Sequence, residues 1–175
     1  MTTLIDIETE LGNFTLALEE DKAPITVANF LAYVDGGHVK GMTAYRIVTK
    51  GNQPAGTEHR IEVVQWGYRA ENGAYADLFA PIAHEPTSLT GIRHENMTIS
   101  MARFAPGSAG AGFFICIGAQ PELDEGGRRN PDLQGFAAFG KVSEGEDVVR
   151  AIFAKAEPDS EQPAVPVQFL GATRR

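Results

Sequence analysis

The stretch PGSAGAGFFICIG at residues 106–118 decides the fold, because a run of small residues gives way abruptly to five apolar ones. Neighbouring side chains of a β-strand point to opposite faces, so Phe113 and Phe114 cannot both enter one core. One of the two rings must therefore face outward. The fold has to place an aromatic ring on the outer side of a strand, beside a glycine-rich loop that leaves the approach to it uncovered.

The composition is that of an ordinary globular protein. The 175 residues are 43% hydrophobic and 22% charged, which is enough chain to bury one sizeable core. The net charge is −8 and the 15 basic residues are scattered, so no basic stripe indicates binding to DNA or RNA. We therefore expect a single domain over residues 1–175, with no nucleic-acid partner.

Metal and redox chemistry are also disfavoured. Cys116 is the single cysteine and lies in an apolar run, which excludes an intrachain disulfide and a thiolate zinc cluster. The pairs His84-Glu85 and His94-Glu95 lack the helical spacing of a zinc site. We expect no metal and no cofactor.

The N-terminal sequence MTTLIDIETE has neither the basic start nor the apolar stretch of a signal peptide. No apolar segment approaches membrane-spanning length, so we expect no membrane partner. The sequence predicts a cytoplasmic monomer, or a periplasmic or secreted protein if a leader has been removed.

Short alternating segments separated by turn signals predict a chain rich in β-strands. Eight strands are expected, at residues 4–9, 14–18, 44–48, 61–66, 98–101, 113–117, 136–142 and 165–170. With two helices they indicate an all-β fold, a closed eight-stranded antiparallel barrel with two capping α-helices. The long stretches 67–97 and 119–135 are predicted to be functional loops.

Two segments carry the signals of a helix. In APITVANFLAYVDGG, Pro24 suits a first helical turn, apolar residues recur at helical spacing, and Gly36-Gly37 supply the end. The second helix is expected at residues 144–154, where Ser143 and Glu146 have the spacing of a capping box.

The order of these segments resembles the cyclophilin family of peptidyl-prolyl cis/trans isomerases. The resemblance runs from about residue 4 to about residue 170 and rests on APITVANFLAYVDGG, YRIV, VVQWG, ISMAR, GFFICIG, ELD, GFAAFGKV and GEDVVRAI. The chain looks like a divergent, bacterial-like member of the family. The resemblance implies a barrel filled by side chains with a substrate groove on its outer wall. Phe113, Ile115 and Ile117 would then fill the barrel, while Phe114 forms the floor of a pocket for a substrate proline ring.

Rotation about an X-Pro bond needs no nucleophile. It needs only the loss of amide resonance, which sets a barrier of about 18–20 kcal/mol. As the bond twists, the prolyl nitrogen gains a lone pair, so a fixed cationic donor stabilises the transition state more than the ground state. Arg46 in AYRIV is the expected catalytic residue. An isolated arginine on a strand is more often a solvated surface residue. The order of the motifs that resemble the family favours a catalytic role for Arg46 instead.

The resemblance also implies which residues bind the substrate. The glutamine of VVQWG is expected to hydrogen-bond the substrate backbone, and the backbone of residues 101–103 to pair with the peptide before the proline. We regard the side chain of Arg103 as incidental to this pairing. The predicted substrate-binding residues are Val63, Gln65, Ala102, Arg103, Phe114, Leu123 and Phe136.

Several positions depart from the family pattern. The pocket phenylalanine falls on Glu62, or on Ile61 if the alignment slips by one residue, so the pocket lacks one aromatic side. Gly112 occupies a position where the family usually has a glutamine, and Phe136 one where it has a histidine. Glu122 replaces the aromatic residue that precedes the leucine in the family. The loops TKGNQPAGTEHRIE and DEGGRRNPDLQ are longer than usual. We expect the reaction to survive with altered substrate preference and a reduced rate.

The sequence thus predicts a cofactor-free isomerase of X-Pro bonds in peptides and unfolded proteins, which assists protein folding. One alternative is a proline-peptide-binding or chaperone-like module with little turnover, which Glu62 and Gly112 favour and Arg46 opposes. A barrel that holds a small ligand inside is a weaker alternative, because the inward positions are bulky. The expected partners are proline-containing peptides or unfolded client proteins, with weak cyclosporin binding because of Glu122.

Overall fold

Eight antiparallel strands close into a barrel in the computed structural model, which describes residues 2–69 and 78–175. Around the barrel the order is β1-β2-β7-β5-β6-β4-β3-β8, and β8 pairs with β1 to complete the ring. The predicted closed eight-stranded barrel is confirmed. The strands are β1 (Thr2–Thr9), β2 (Gly12–Glu19), β3 (Thr43–Val48), β4 (Val63–Gly67), β5 (Thr98–Met101), β6 (Gly112–Cys116), β7 (Ala138–Glu144) and β8 (Val167–Arg174).

Three α-helices accompany the strands in the described ranges: α1 (Pro24–Asp35), α2 (Thr87–Thr90) and α3 (Glu146–Phe153). A 3₁₀-helix forms at Pro121–Leu123. The sequence predicts α1 and α3 but not α2, because a single turn is too short to show a helical period. In the predicted functional loop 67–97, residues 70–77 lie outside the described residues. The longest described helix, α1, has 12 residues, and no helix in residues 2–69 and 78–175 could cross a membrane.

The start of α3 differs from the prediction. Gly145 is the N-cap residue with a φ of 85°, and the expected capping box of Ser143 and Glu146 does not form. Ser143 belongs to β7, and the carboxylate of Glu146 accepts a hydrogen bond from Arg150 Nε at 2.8 Å. The prediction was wrong because β7 continues two residues further than its pattern shows, and a glycine makes the reversal into the helix.

Of the strands in the described ranges, only β5 has its predicted bounds, and the others differ by one to four residues at one or both ends. β4 begins at Val63 rather than at residue 61, and β7 covers Ala138–Glu144 rather than residues 136–142. β8 extends four residues beyond its predicted end at residue 170 because Arg174 still pairs with Ile5 of β1. Small and polar residues fill this extension, so apolar alternation cannot reveal it.

Alternate side chains of the strands fill the barrel with aromatic rings. Trp66 stacks on Phe169 with 4.4 Å between ring centroids, and Phe113 lies 5.1 Å from Trp66. Phe30 of α1 packs edge-on against Phe113 at 5.0 Å, so the helix covers the same core. All four rings are buried, which confirms that Phe113 faces inward. The interior is a packed core rather than a binding site.

A distant carboxylate caps the first helix. Ala23 precedes α1 and has no side-chain acceptor. Glu85 is 2% exposed and supplies the missing acceptor: its Oε1 accepts hydrogen bonds from the backbone N–H of Thr26 at 2.7 Å and from the Thr26 hydroxyl at 2.6 Å. The negative charge also lies at the positive end of the helix dipole. Glu85 therefore fixes the loop before α2 to the start of α1.

We expect Glu85→Ala to lower the free energy of unfolding by about 1–3 kcal/mol, because it leaves buried donors of α1 without an acceptor. Urea denaturation measures this loss. Glu95→Ala is the matched control, since Glu95 is an exposed glutamate in the segment after α2. Equal stabilities of the two variants would contradict the capping role.

Candidate active site

The outer wall of the barrel carries a second apolar cluster, separate from the core. Phe114 occupies its centre, between Gln65 of β4 and Ser100 of β5 in the sheet. A pocket of about 410 Å³ lies over the cluster. The predicted outward facing of Phe114 is confirmed, while Ile115 and Ile117 join the core. The cluster consists of Val48, Ile61, Val63, Ala102, Phe114, Cys116 and Leu123, with Phe136 packed against it.

Every residue that the sequence predicts for the site lines this one pocket. Three strands (β3, β4 and β6) and two connections (β5–β6 and β6–β7) supply the residues, so the barrel geometry brings them together across long distances in the chain. The eight are Arg46, Val63, Gln65, Ala102, Arg103, Phe114, Leu123 and Phe136. Residues that sequence reasoning missed also line it: Tyr45, Arg69, Phe104, Arg129, Asn130 and Gln162.

The guanidinium of Arg46 is held from two sides. Its Nη1 donates to Gln65 Oε1 and its Nε to Glu161 Oε2, both at 2.9 Å. Gln65 in turn donates from Nε2 to the Tyr45 hydroxyl at 2.8 Å. Within residues 2–69 and 78–175, nothing accepts a hydrogen bond from Nη2 of Arg46. The arginine is thus oriented by its neighbours and keeps donors available at the pocket.

Tyr45 and Glu161 complete the support of Arg46. Burial raises the pKa of Tyr45 to about 12, although the hydrogen bond from Gln65 opposes the shift. Glu161 reaches the site because its backbone oxygen accepts the N–H of Ile47 at 2.7 Å. Sequence reasoning missed Glu161 because it lies in an irregular segment 115 residues from Arg46, where no periodicity marks a side chain as facing the pocket.

Phe114 is supported from behind by a buried polar chain. The His94 ring stacks on Phe114 with 5.9 Å between centroids. Nδ1 of His94 lies 2.8 Å from Asp124 Oδ1, and Nε2 lies 2.8 Å from Ser100 Oγ. Burial opposes the ionisation of Asp124, but hydrogen bonds from His94 outweigh it and hold the pKa of the carboxyl below its usual value. Ser100 is fully buried, so this Ser-His-Asp chain holds the pocket floor and offers no nucleophile to a substrate.

Ile61, rather than Glu62, occupies the position of the pocket phenylalanine in the family pattern. Ile61 lines the pocket and Glu62 does not, so the one-residue slip is the alternative that the structure supports. Gln53 fixes the backbone there: its Nε2 donates to the Ile61 oxygen at 2.9 Å. This side of the pocket is therefore aliphatic rather than aromatic.

The Arg103 side chain is not incidental to the structure. It is buried, forms a bidentate ion pair with Asp132 at 2.8 and 3.0 Å, and donates from Nε to the oxygen of Gly135 at 2.9 Å. Its guanidinium carbon lies 4.8 Å from the ring centroid of Phe136. Arg103 thereby holds the inserted loop at residues 124–134 and the Phe136 ring against the pocket.

Glu122 turns away from the pocket. Its carboxylate accepts the backbone N–H of Arg128 at 2.7 Å and lies 3.6 Å from Nδ1 of His59. Residues of the inserted loop, Arg129 and Asn130, line the pocket instead. The loop thus contributes a cation and an amide to the pocket wall beyond Leu123.

Comparisons with known proteins agree on one family. The family model described as cyclophilin type peptidyl-prolyl cis-trans isomerase matches residues 4–174. The peptidyl-prolyl cis-trans isomerase cyp18 of Streptomyces antibioticus is 35% identical over 149 residues, which cover 85% of this chain and 81% of that protein. The peptidyl-prolyl cis-trans isomerase A of Dickeya dadantii is 31% identical over 156 residues, covering 86% and 71%.

A solved structure shows the same fold at lower identity. The cyclophilin type peptidyl-prolyl cis-trans isomerase of Cryptosporidium parvum superposes with a TM-score of 0.77 at 19% identity, covering all of this chain and 98% of that one. A second structure of that protein was obtained in the presence of the dipeptide Ala-Pro.

The opposite facing of the two phenylalanines predicts unequal effects on stability. Phe113→Ala should lower the free energy of unfolding by about 3–5 kcal/mol, because it leaves a closed cavity in the core. Phe114→Ala should cost clearly less, because its site opens into the pocket, where water fills the space. Urea denaturation of both variants measures the difference, and equal losses would contradict the assignment.

Proposed function

Because the chain belongs to the cyclophilin family of peptidyl-prolyl cis-trans isomerases, we propose that its outer pocket binds the proline ring of a peptide and that Arg46 catalyses rotation of the preceding bond. The observation that carries this proposal is the position of Arg46. It lies at the edge of an apolar pocket floored by Phe114, with its guanidinium oriented by Gln65 and Glu161.

The proposed role of Arg46 is electrostatic. The guanidinium donates a hydrogen bond to the prolyl nitrogen, which becomes a better acceptor only as the amide bond twists. Because its side chain is held in place, little reorganisation is needed when this charge develops. One charge-assisted hydrogen bond of about 1.5–3 kcal/mol corresponds to roughly a 10- to 100-fold increase in rate.

The apolar cluster is suited to the proline ring. Phe114, Val63 and Leu123 are buried apolar side chains that line the pocket, and Phe136 packs edge-on against Phe114 at 5.6 Å. A proline seated there is desolvated and held while its bond rotates. Ile61 supplies apolar area on the side where the family pattern has an aromatic ring.

The backbone at Ala102 is suited to the peptide before the proline. Its N–H donates to the oxygen of Gly112 at 3.0 Å. Its own oxygen accepts no hydrogen bond within the described ranges of the chain, so it remains available to a peptide N–H, as in strand addition. Both ends of the Gln65 amide already have partners, so we assign Gln65 the role of orienting Arg46.

A proline-peptide-binding module with little turnover is the second candidate function. The aliphatic Ile61 favours this candidate, because the family pattern has an aromatic residue at that position and the proline therefore loses one aromatic contact. The ordered Arg46 favours catalysis. Proline-containing peptides or unfolded proteins are the proposed partners in both cases, and a protease-coupled assay on a prolyl tetrapeptide separates the two. A single domain over residues 1–175, a monomeric state and a cytoplasmic location stay predictions.

Arg46→Ala should lower kcat/KM for a prolyl tetrapeptide by about tenfold or more, because one charge-assisted hydrogen bond to the transition state is lost. The protease-coupled assay measures the effect. Arg150→Ala is the control, since Arg150 forms an exposed ion pair on α3. Activity of the Arg46 variant within about twofold of the parent, at an unchanged melting temperature, would refute the assignment.

Cyclosporin should inhibit the isomerase only weakly, at micromolar rather than nanomolar concentrations. Glu122 stands where the family has the aromatic residue whose apolar area and hydrogen bond the ligand requires, and its carboxylate is bound to the backbone N–H of Arg128 outside the pocket, so that contact is missing. A loss of about 3 kcal/mol suffices for such a change in affinity. A titration of tetrapeptide turnover with cyclosporin measures it. Glu122→Trp should restore part of the inhibition, and nanomolar inhibition of the parent would contradict the expectation.

A further inference from the structure

The pocket wall carries an excess of positive charge. Four arginines line it, and none of its described lining residues is an aspartate or glutamate. The chain as a whole has a net charge of −8, so this concentration of cations is local. The four are Arg46, Arg69, Arg103 and Arg129.

Two of these charges are already compensated. Glu161 pairs with Arg46 at 2.9 Å, and Asp132 pairs with Arg103 at 2.8 Å. Neither Glu161 nor Asp132 lines the pocket. The uncompensated charge of the wall therefore belongs to Arg69 and Arg129.

Arg129 is a half-buried cation without a carboxylate partner in residues 2–69 and 78–175. Its Nη1 donates to Gln53 Oε1 at 2.8 Å and to the oxygen of His59 at 3.0 Å. No acceptor among the described residues is hydrogen-bonded to its Nε or Nη2. Burial, together with the nearby charge of Arg46, lowers the pKa of Arg129, and Glu161 opposes the shift. An anion beside Arg129 would relieve this unfavourable environment.

The position of Arg129 is fixed before any ligand arrives. Gln53, which accepts its hydrogen bond, is 6% exposed and donates from Nε2 to the oxygens of Thr49 and Ile61 at 2.8 and 2.9 Å. An arginine held by a buried amide loses less side-chain entropy when it binds an anion than a free surface arginine does. This distinguishes Arg129 from an ordinary solvated charge.

Arg69 extends the same positive surface. Its Nη2 donates to Gln162 Oε1 at 3.0 Å, and no described carboxylate pairs with it. Gln162 follows Glu161 directly in the chain, so Arg69 lies near the Arg46–Glu161 pair. Two guanidinium groups with free donors thus share the pocket with Arg46.

We propose that Arg129, together with Arg69, forms a subsite for an anionic side chain adjacent to the substrate proline. The pocket then prefers peptides with an acidic residue, a carboxylate or a phosphorylated hydroxyl, directly before or after the proline. This inference rests on the proposed binding of proline peptides. Arginine binds the two oxygens of such groups through paired N–H donors, which gives the subsite its selectivity.

A peptide panel tests the subsite. Each peptide is acetylated and amidated, so that its only charge is the side chain before or after the proline, which is glutamate, glutamine or lysine. Isomerisation is followed by NMR exchange spectroscopy, and affinity by titration with the same peptides. We expect kcat/KM for glutamate to exceed that for glutamine by about fivefold or more at one of the two positions, with lysine lowest. The preference should shrink as salt is added.

Substitutions test whether the preference for glutamate depends on Arg129. Arg129→Gln should reduce the glutamate-to-glutamine ratio to near one, and Arg129→Lys should keep part of it. Arg128→Gln is the matched control, since it removes the same charge from an exposed neighbour that does not line the pocket. A phosphoserine peptide should likewise exceed its neutral serine parent in kcat/KM, and no preference for either glutamate or phosphoserine over its neutral counterpart would overturn the subsite.

The outcomes separate this inference from the proposed function. Turnover of all peptides with equal rates for glutamate and glutamine would overturn the subsite and leave the isomerase intact. Absence of turnover would contradict the proposed catalysis, and the titrations would still report whether glutamate binds more tightly. An equal loss of preference in the Arg128 and Arg129 variants would also overturn the subsite, because it would indicate a general effect of charge.

Discussion

The opposite facing of Phe113 and Phe114 is the constraint on which both the barrel and its pocket depend. The pleat of β6 sends one ring into the core against Trp66 and the other to the outer wall. The pocket floor is therefore as rigid as the sheet that carries it. A one-residue shift of register would exchange the two rings and remove core and pocket together.

Arg46 shows how a mobile side chain becomes a fixed donor on that wall. An arginine on an outer strand face would normally lose much rotamer freedom on binding. Gln65 and Glu161 hold it beforehand, and buried Tyr45 holds Gln65. The carboxylate of Glu161 also reduces the positive charge that Arg46 presents, so the support that orients the arginine limits its electrostatic effect. The structure therefore fixes the position of the Arg46 guanidinium and, in return, weakens the positive charge that it presents.

The sequence predicts the parts of the site that periodicity or family order can mark. Strand alternation gives the facing of Phe114, and motif order gives Arg46. Glu85, Glu161 and Arg129 cannot be found this way, because each acts through a contact with a distant segment and lies in irregular structure. The capping pattern at α3 failed for a related reason, since local spacing does not show where pairing with a distant strand ends.

The inserted loop at residues 124–134 is attached to the barrel at both ends. At its N-terminal end, Asp124 binds His94 beneath the pocket floor. Arg103 binds Asp132, and Gly135 has a φ of 65°, where an added Cβ would lie 2.5 Å from the backbone nitrogen of Glu125. The loop is thus fixed at its C-terminal end while Arg129 reaches the pocket wall. In the proposed function, rotation of the peptide bond depends on strand residues, whereas in the proposed subsite recognition of flanking residues depends on Arg129 of this loop. On that division of roles, selectivity can change through loop residues between the two anchors while the strand residues around Arg46 stay the same.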